Sequence, residues 1–292
     1  MMAHMFCFGL GYSARCLARR LVQKGWRVSG TARSPEAASR LAEEGFESQI
    51  FDGTRPIADF DAIAPEITHI LLSVPPGAEG DPVFACHAKD IAAMAPQLKW
   101  AGYLSTTGVY GDRQGGWVDE TSELLPATER GRRRVAAEAA WQGLQASAGL
   151  PLHIFRLAGI YGPGSNQLVS LLKGKSRRVV KPGQVFSRIH VEDIASILEA
   201  SIARPNSGAI YNVCDDEAAP PQDVVAYAAD LLGRPAPPEV TFEAAEMSSM
   251  GRSFYAESKR VANTRIKQEL GVELAYPTYR EGLAALLETV AK

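Results

Sequence analysis

The chain has 292 residues, 46% hydrophobic and 22% charged, with 31 Lys and Arg against 33 Asp and Glu for a net charge of -2. That length and balance describe a globular protein of one large or two modest domains, and exclude a mini-protein, a disordered chain and a collagen-like one. No basic excess awaits a phosphate backbone or anionic lipid, and no run reaches the ~18 apolar residues that span a bilayer, so neither nucleic acid nor membrane is an expected partner.

From residue 5 to about 156, short β-rich runs alternate with longer helical stretches, the pattern of a parallel sheet covered on both faces. The expected strands are Met5–Phe8, Arg27–Gly30, Glu47–Phe51, His69–Val74, Gly102–Ser105 and Leu152–Phe155, apolar enough for burial on both sides. The expected helices are Tyr12–Lys24, opening on glycines, Pro35–Glu44 with Ser34 as cap, Pro82–Leu98 and Thr128–Ala148. Past Arg156 the rhythm breaks at Tyr161-Gly162-Pro163-Gly164, Lys181-Pro182-Gly183 and the prolines at 220–221 and 235–238. Helices are expected there over Glu192–Ala203, Pro221–Leu232, Ser258–Leu270 and Tyr279–Val290. The fold class is α/β: a Rossmann doubly wound parallel sheet with a smaller mixed C-terminal substrate-binding region. The dinucleotide-binding domain takes residues 1–160 with a contribution from about 188–213, and the substrate-binding region takes 161–187 and 214–292.

The first strand meets the first helix at Phe8-Gly9-Leu10-Gly11-Tyr12-Ser13-Ala14, a GxGxxA turn opening a βαβ unit. Gly9 suits the tight turn, Gly11 lets a pyrophosphate approach the backbone, Ala14 permits close helix packing, and the amides of Tyr12 and Ser13 begin the helix that would face the phosphate. An ordinary Gly-rich turn is the plain alternative. A site for NAD places Asp or Glu at the end of the second strand, whereas this chain reads Gly30-Thr31-Ala32-Arg33-Ser34. Arg33 and the neighbouring hydroxyls suit the extra 2′-phosphate of NADP, with NAD as the lesser expectation; the plain alternative makes Ser34 a helix cap and Arg33 a surface charge. After the third strand Asp52-Gly53 is placed to face the adenine or simply to turn the chain. Ser73, near the end of the fourth strand, and Pro75, just after it, stand on the cofactor side.

With the glycine turn, three further segments stand in order: Leu104-Ser105-Thr106-Thr107-Gly108-Val109-Tyr110-Gly111, Arg156 to Gly164, and Arg188-Ile189-His190-Val191-Glu192-Asp193. Together with Tyr211-Asn212-Val213 and Ser258 to Asn263, they give a chain that, over nearly its whole length, resembles atypical or extended short-chain dehydrogenases/reductases of the NAD-dependent epimerase/dehydratase group. The resemblance implies a Rossmann domain, a C-terminal substrate-binding region, and Thr106 as the hydroxyl that bonds the substrate oxygen. Holding the strand end is the plain alternative for Thr106.

The chain departs from the family at its centre. Phe8 and Ala14 replace the first and last glycines of the extended subgroup's turn, and the family's Tyr-x-x-x-Lys pair falls on Arg130 and Arg134. At i and i+4 the two share a helix face towards the nicotinamide, with Glu138 expected to partner Arg134. Guanidinium releases no proton near neutrality, so Arg134 is left to hold ribose hydroxyls and Arg130 an anion, while Tyr110 or Asp112 stands in as acid/base. Core packing is the alternative for Tyr110. The string Tyr255-Ala256-Glu257-Ser258-Lys259 is read as a decoy opening a C-terminal helix, with Tyr255 a candidate for the substrate pocket, and His190 is read as structural.

The expected function is an NADP-preferring, epimerase/dehydratase-like oxidoreductase acting on a small hydroxylated or carbonyl, sugar-like substrate. The competing class is a non-catalytic NADP-binding sensor. No Lys or Arg precedes Arg15, and Cys7, Cys16, Cys86 and Cys214 lack CxxC pairing, so no signal peptide, disulfide framework or metal site is expected. A cytoplasmic monomer or homodimer, paired through the helices at 82–98 and 128–148, completes the expectation.

Overall fold

The structure is a computed structural model describing residues 2–290. Seven strands build its main sheet: β1 (His4–Phe8), β2 (Arg27–Ala32), β3 (Glu47–Ile50), β4 (His69–Leu72), β5 (Trp100–Thr106), β6 (Leu152–Leu157) and β7 (Ile210–Val213). They lie parallel in the order β7-β6-β5-β4-β1-β2-β3, so the direction of winding reverses beside β1. Strands with every residue buried, as in β1, β4 and β6, need helices on both faces. This is the doubly wound Rossmann arrangement, whose ligands bind outside the carboxyl ends of the strands at the reversal.

The chain divides into two compact units. The first takes Met1–Thr106, Arg132–Arg156 and Ala195–Tyr211. Its helices start where the sequence offers stops for orphan amides. Ser34 Oγ accepts from the Ala37 amide at the head of the helix Pro35–Glu43, and Asp81 Oδ1 accepts from the Val83 and Phe84 amides at the head of Pro82–Met94. The other Asp81 oxygen takes the Trp141 indole N–H at 3.0 Å, tying that helix to the one over Glu129–Ala148. Phe6, Phe8, Phe51, Phe60, Ile70, Tyr103 and Trp141 fill the core beneath.

The second unit takes Thr107–Gly131, Leu157–Ile194 and Asn212–Lys292. It has its own core of Tyr161, Leu168, Val224, Ala228, Tyr279, Leu283 and Leu286, and three two-stranded parallel pairs. The expected helix over Ser258–Leu270 is corrected here. Only Thr264–Leu270 is helical, because Arg260–Val261 pairs with Trp117–Val118 and the backbone of Ser258 accepts from the Arg113 and Gly115 amides. Tertiary hydrogen bonds outweigh the weak helical preference of that stretch. Tyr255 likewise opens no helix; it ends the short one over Ser249–Phe254. No helix among the described residues is long and apolar enough to cross a membrane.

Candidate functional site

The glycine turn is built by conformation and by neighbours. Gly9 has φ +90°, which side-chained residues rarely adopt, and a Cβ on it would stand 3.0 Å from Ser73 Oγ. Its N–H donates to Thr31 Oγ1 at 2.7 Å, and the Ser73 hydroxyl donates to its carbonyl, so β2 and β4 clamp the turn from both sides. Gly11 caps helix α1 (Tyr12–Gln23) with extended backbone, and a Cβ there would meet nothing within 4 Å. The exposed backbone of Gly11, beside the amide end of a helix with buried Ser13 and Ala14 packed behind it, fits the approach of a pyrophosphate.

At the end of β2, Thr31 and Ser34 are occupied. Thr31 is 3% exposed and holds the Gly9 amide, so its hydroxyl serves the turn, a correction to its expected place beside a 2′-phosphate. Ser34 is the cap of Pro35–Glu43. Arg33 stands exposed between them, with no ion-pair partner among the described residues. After β3, Asp52 Oδ1 accepts from the Thr54 amide at 2.9 Å and its hydroxyl at 2.7 Å, which holds the carboxyl below its ordinary range, and Gly53 turns the chain at φ +88°. Ser73 is half-buried and Pro75 exposed beyond β4.

At the carboxyl end of β5 the expected hydroxyl, Thr106, is half-buried, directly after a buried Ser105. Arg134 Nη1 donates to the Leu104 carbonyl at 2.7 Å and the Tyr103 hydroxyl at 3.1 Å, and its buried Nε has no hydrogen-bond partner among the described residues. The pairing of Glu138 with Arg134 expected from their spacing is corrected here. Glu138 is 1% exposed, meets Arg156 Nη2 at 2.8 Å and accepts from the Ser105 hydroxyl, because two buried groups leave a carboxylate there fully satisfied. Sequence reading missed Asp81, Arg156 and Thr31 as positioning residues; the Asp81-Pro82 pair at a helix start was the available signal for the first.

The remaining candidates lie in the second unit. Tyr110 is fully buried, and its hydroxyl donates to Asn212 Oδ1 at 2.6 Å. Asp112 Oδ1 accepts from the Ser258 and Gln114 amides, at 2.8 and 3.0 Å, and these bonds lower its pKa against the opposing effect of burial. Exposed Arg130 lies over the Phe254 ring, 5.1 Å from its centroid. Lys259 is buried and donates to the Gly111 carbonyl at 2.8 Å and Glu257 at 2.6 Å, which anchors the turn after Tyr110 and leaves the Tyr255-x-x-x-Lys259 string a structural role. His190 is buried, and burial lowers its pKa to about 4; its Nδ1 accepts from the Glu192 amide at 3.2 Å as a neutral ring.

The family described as NAD dependent epimerase/dehydratase matches residues 88–214, from the helix after β4 through β7. A solved structure of a functionally unknown conserved protein from Silicibacter pomeroyi is 53% identical and superimposes with a TM-score of 0.91 over 100% of both chains. Residues 88–214 thus carry an NAD-dependent epimerase/dehydratase family domain. Protein YeeZ of Escherichia coli strain K12 is 29% identical over 283 residues, 92% of this chain and 94% of that protein. In fold, the chain is similar to dTDP-glucose 4,6-dehydratase from Bacillus anthracis in complex with NAD, at 16% identity and a TM-score of 0.77 over 99% and 96% of the two chains.

Proposed function

We propose that this protein is an NADP-preferring oxidoreductase of the epimerase/dehydratase family acting on a small hydroxylated or carbonyl, sugar-like substrate. The observation that carries the cofactor choice is Arg33, exposed at the end of β2 in a turn without an acidic side chain. A carboxylate at that place would repel a 2′-phosphate, whereas a guanidinium donates to it through charge-assisted hydrogen bonds.

Gly11 and the first amides of α1 would hold the pyrophosphate, Arg33 the 2′-phosphate, and Asp52-Gly53 the adenine side. Ser73, through the Gly9 carbonyl, keeps the turn in shape, and Pro75 borders the same edge. A bound nicotinamide supplies or accepts hydride. Thr106 would donate to the substrate oxygen, and Arg134 would add positive charge near the ribose while braced on Leu104 and Tyr103. Arg130 is suited to an anionic group of the substrate. Neither arginine moves a proton at neutral pH, so that step is assigned to Tyr110, whose hydroxyl already donates to Asn212.

A second reading, a nucleotide-binding sensor without turnover, is favoured by the same two arginines and by the complete burial of Tyr110. Titration calorimetry with NADPH and NADH tests the cofactor choice. NADPH should bind more tightly, and Arg33→Ala should erode the preference by about 1–3 kcal/mol. Equal affinity of the parent protein for both nucleotides defeats the proposal.

A further inference from the structure

The strand that leads to Arg33 is fastened to the glycine turn by more than the pairing of β1 with β2. Gly30 lies opposite Cys7 of β1, and a Cβ on it would collide with the Cys7 carbonyl and stand 2.8 Å from Leu10 Cγ. Because position 30 has no side chain, Leu10, the residue between the two glycines of the turn, packs buried against β2. Thr31 then makes two bonds to the same turn. Its hydroxyl accepts from the Gly9 amide at 2.7 Å, and its carbonyl accepts from the Leu10 amide at 3.1 Å.

The backbone on either side of Arg33 is held as well. The Ala32 carbonyl accepts from the Phe51 amide at 2.8 Å, and the Ser34 hydroxyl and carbonyl accept from the Ala37 and Ala38 amides, at 3.3 and 2.9 Å, at the head of Pro35–Glu43. Within 30–34 Arg33 is the exposed residue, and its guanidinium has no ion-pair partner among the described residues. The arginine at the other end of β2 is the contrast. Arg27 spends its guanidinium on Glu47, at 2.9 Å, and on Glu66. Arg33 thus joins a fixed backbone to an uncommitted cation, the combination that a pre-organised anion contact needs.

We propose that Thr31 is a positioning residue for cofactor choice, its hydroxyl fixing the register between the glycine turn and Arg33 so that one nucleotide meets both at once. This rests on the NADP preference proposed above. NADPH carries two anionic groups joined through the adenosine, the pyrophosphate and the 2′-phosphate, and the second adds affinity only where its partner already stands correctly once the first is bound. NADH lacks the second group and is held by the turn alone. Removing the Thr31 hydroxyl therefore costs NADPH more than NADH, and only while Arg33 is present.

The test is titration calorimetry of NADPH and NADH into the parent, Thr31→Val, Thr31→Ser, Arg33→Ala and the double variant Thr31→Val/Arg33→Ala, with a thermal melt of each. Valine keeps threonine's branched shape and removes the acceptor, whereas serine keeps the acceptor. Thr31→Ala, which also lacks it, takes the place of valine in the cycle should that variant melt below the assay temperature. The preference for NADPH over NADH should fall about three- to tenfold in Thr31→Val, stay within about twofold of the parent in Thr31→Ser, and change by less than about twofold when Thr31→Val is added to Arg33→Ala. A hydroxyl that only stabilises the fold weakens both nucleotides by one factor in either background. That result, or an unchanged preference in Thr31→Val beside a parent that prefers NADPH, overturns this proposal and leaves the cofactor reading standing. A parent without preference for NADPH defeats the cofactor reading, and this proposal with it.

Discussion

Gly11 shows how much one residue's lack of a side chain can carry. Since a Cβ at this position meets no protein atom within 4 Å, Gly11→Val should fold with little change in melting temperature, yet lose NADPH binding because the isopropyl group occupies the ligand's approach. Calorimetry beside a thermal melt checks both halves, and normal binding by the variant would put the cradle elsewhere. Gly9 is the contrast, since φ +90° and Ser73 at 3.0 Å make any side chain there a folding problem.

Asp215 gives a prediction of opposite character. Burial raises its pKa to about 8, so the native state keeps a proton that the unfolded chain releases above about 4. Its contribution to stability is therefore greatest below that unfolded value, falls as pH rises towards 8, and is level above. Asp215→Asn should be more stable than the parent at pH 8 by a margin that shrinks towards pH 5, read from urea midpoints at the two pH values. A constant margin would mean that the carboxyl titrates alike in both states. At this scale the glycine turn was legible in the sequence because backbone geometry demands those residue types. Thr31, Arg156 and Asp215 were not, since a side chain's partners are chosen by distant segments.

Among the elements, the helix over Glu129–Ala148 is anchored through one buried carboxylate. Glu138 receives Arg156 and Ser105, so Glu138→Ala takes the carboxylate away from a buried guanidinium and should cost about 3–5 kcal/mol. Replacing Glu138 and Arg156 together by Gln and Met should cost less than Glu138→Ala alone, because no lone charge remains; chemical denaturation of the two variants measures the difference. Helical spacing had suggested Arg134 as the partner, one turn away. Local periodicity names the residues that share a face, but the partner came from β6, across the layer that the helix covers. The same limit explains the misplaced helix at Ser258, where pairing with Trp117–Val118 helps keep six residues, 258–263, out of a helical register.

For the whole molecule, the arginines at 130 and 134 predict NADPH binding without the turnover usual for this family on generic carbonyl substrates. Positioned acid/base catalysis is worth about 10²–10⁴-fold, and neither guanidinium supplies it. Stopped-flow assays of the parent, Thr106→Ala and Tyr110→Phe against sugar nucleotides and simple aldehydes should find slow turnover abolished by Tyr110→Phe, with NADPH binding intact. Rapid turnover indifferent to both substitutions would sink this account of the site, and none in any of the three proteins would favour the sensor.

Six of the sheet's seven strands and the main helices between them are legible in the sequence alone, because alternation of apolar runs, glycine turns and helix caps is local information; β7 is not among the expected strands. So are the resemblance to the epimerase/dehydratase family and the glycine turn, which lie in contiguous motifs. Only the tertiary structure decided what each buried carboxylate meets. Glu138 and Asp193 stand on helices and Asp215 just past a strand, and each is buried to 3% exposure or less. Glu138 meets Arg156 and Asp193 the amides of Ala275 and Tyr276, because hydrogen bonding at depth depends on which distant backbone amides and guanidinium groups arrive within about 3 Å, a coincidence of folding that no local pattern encodes.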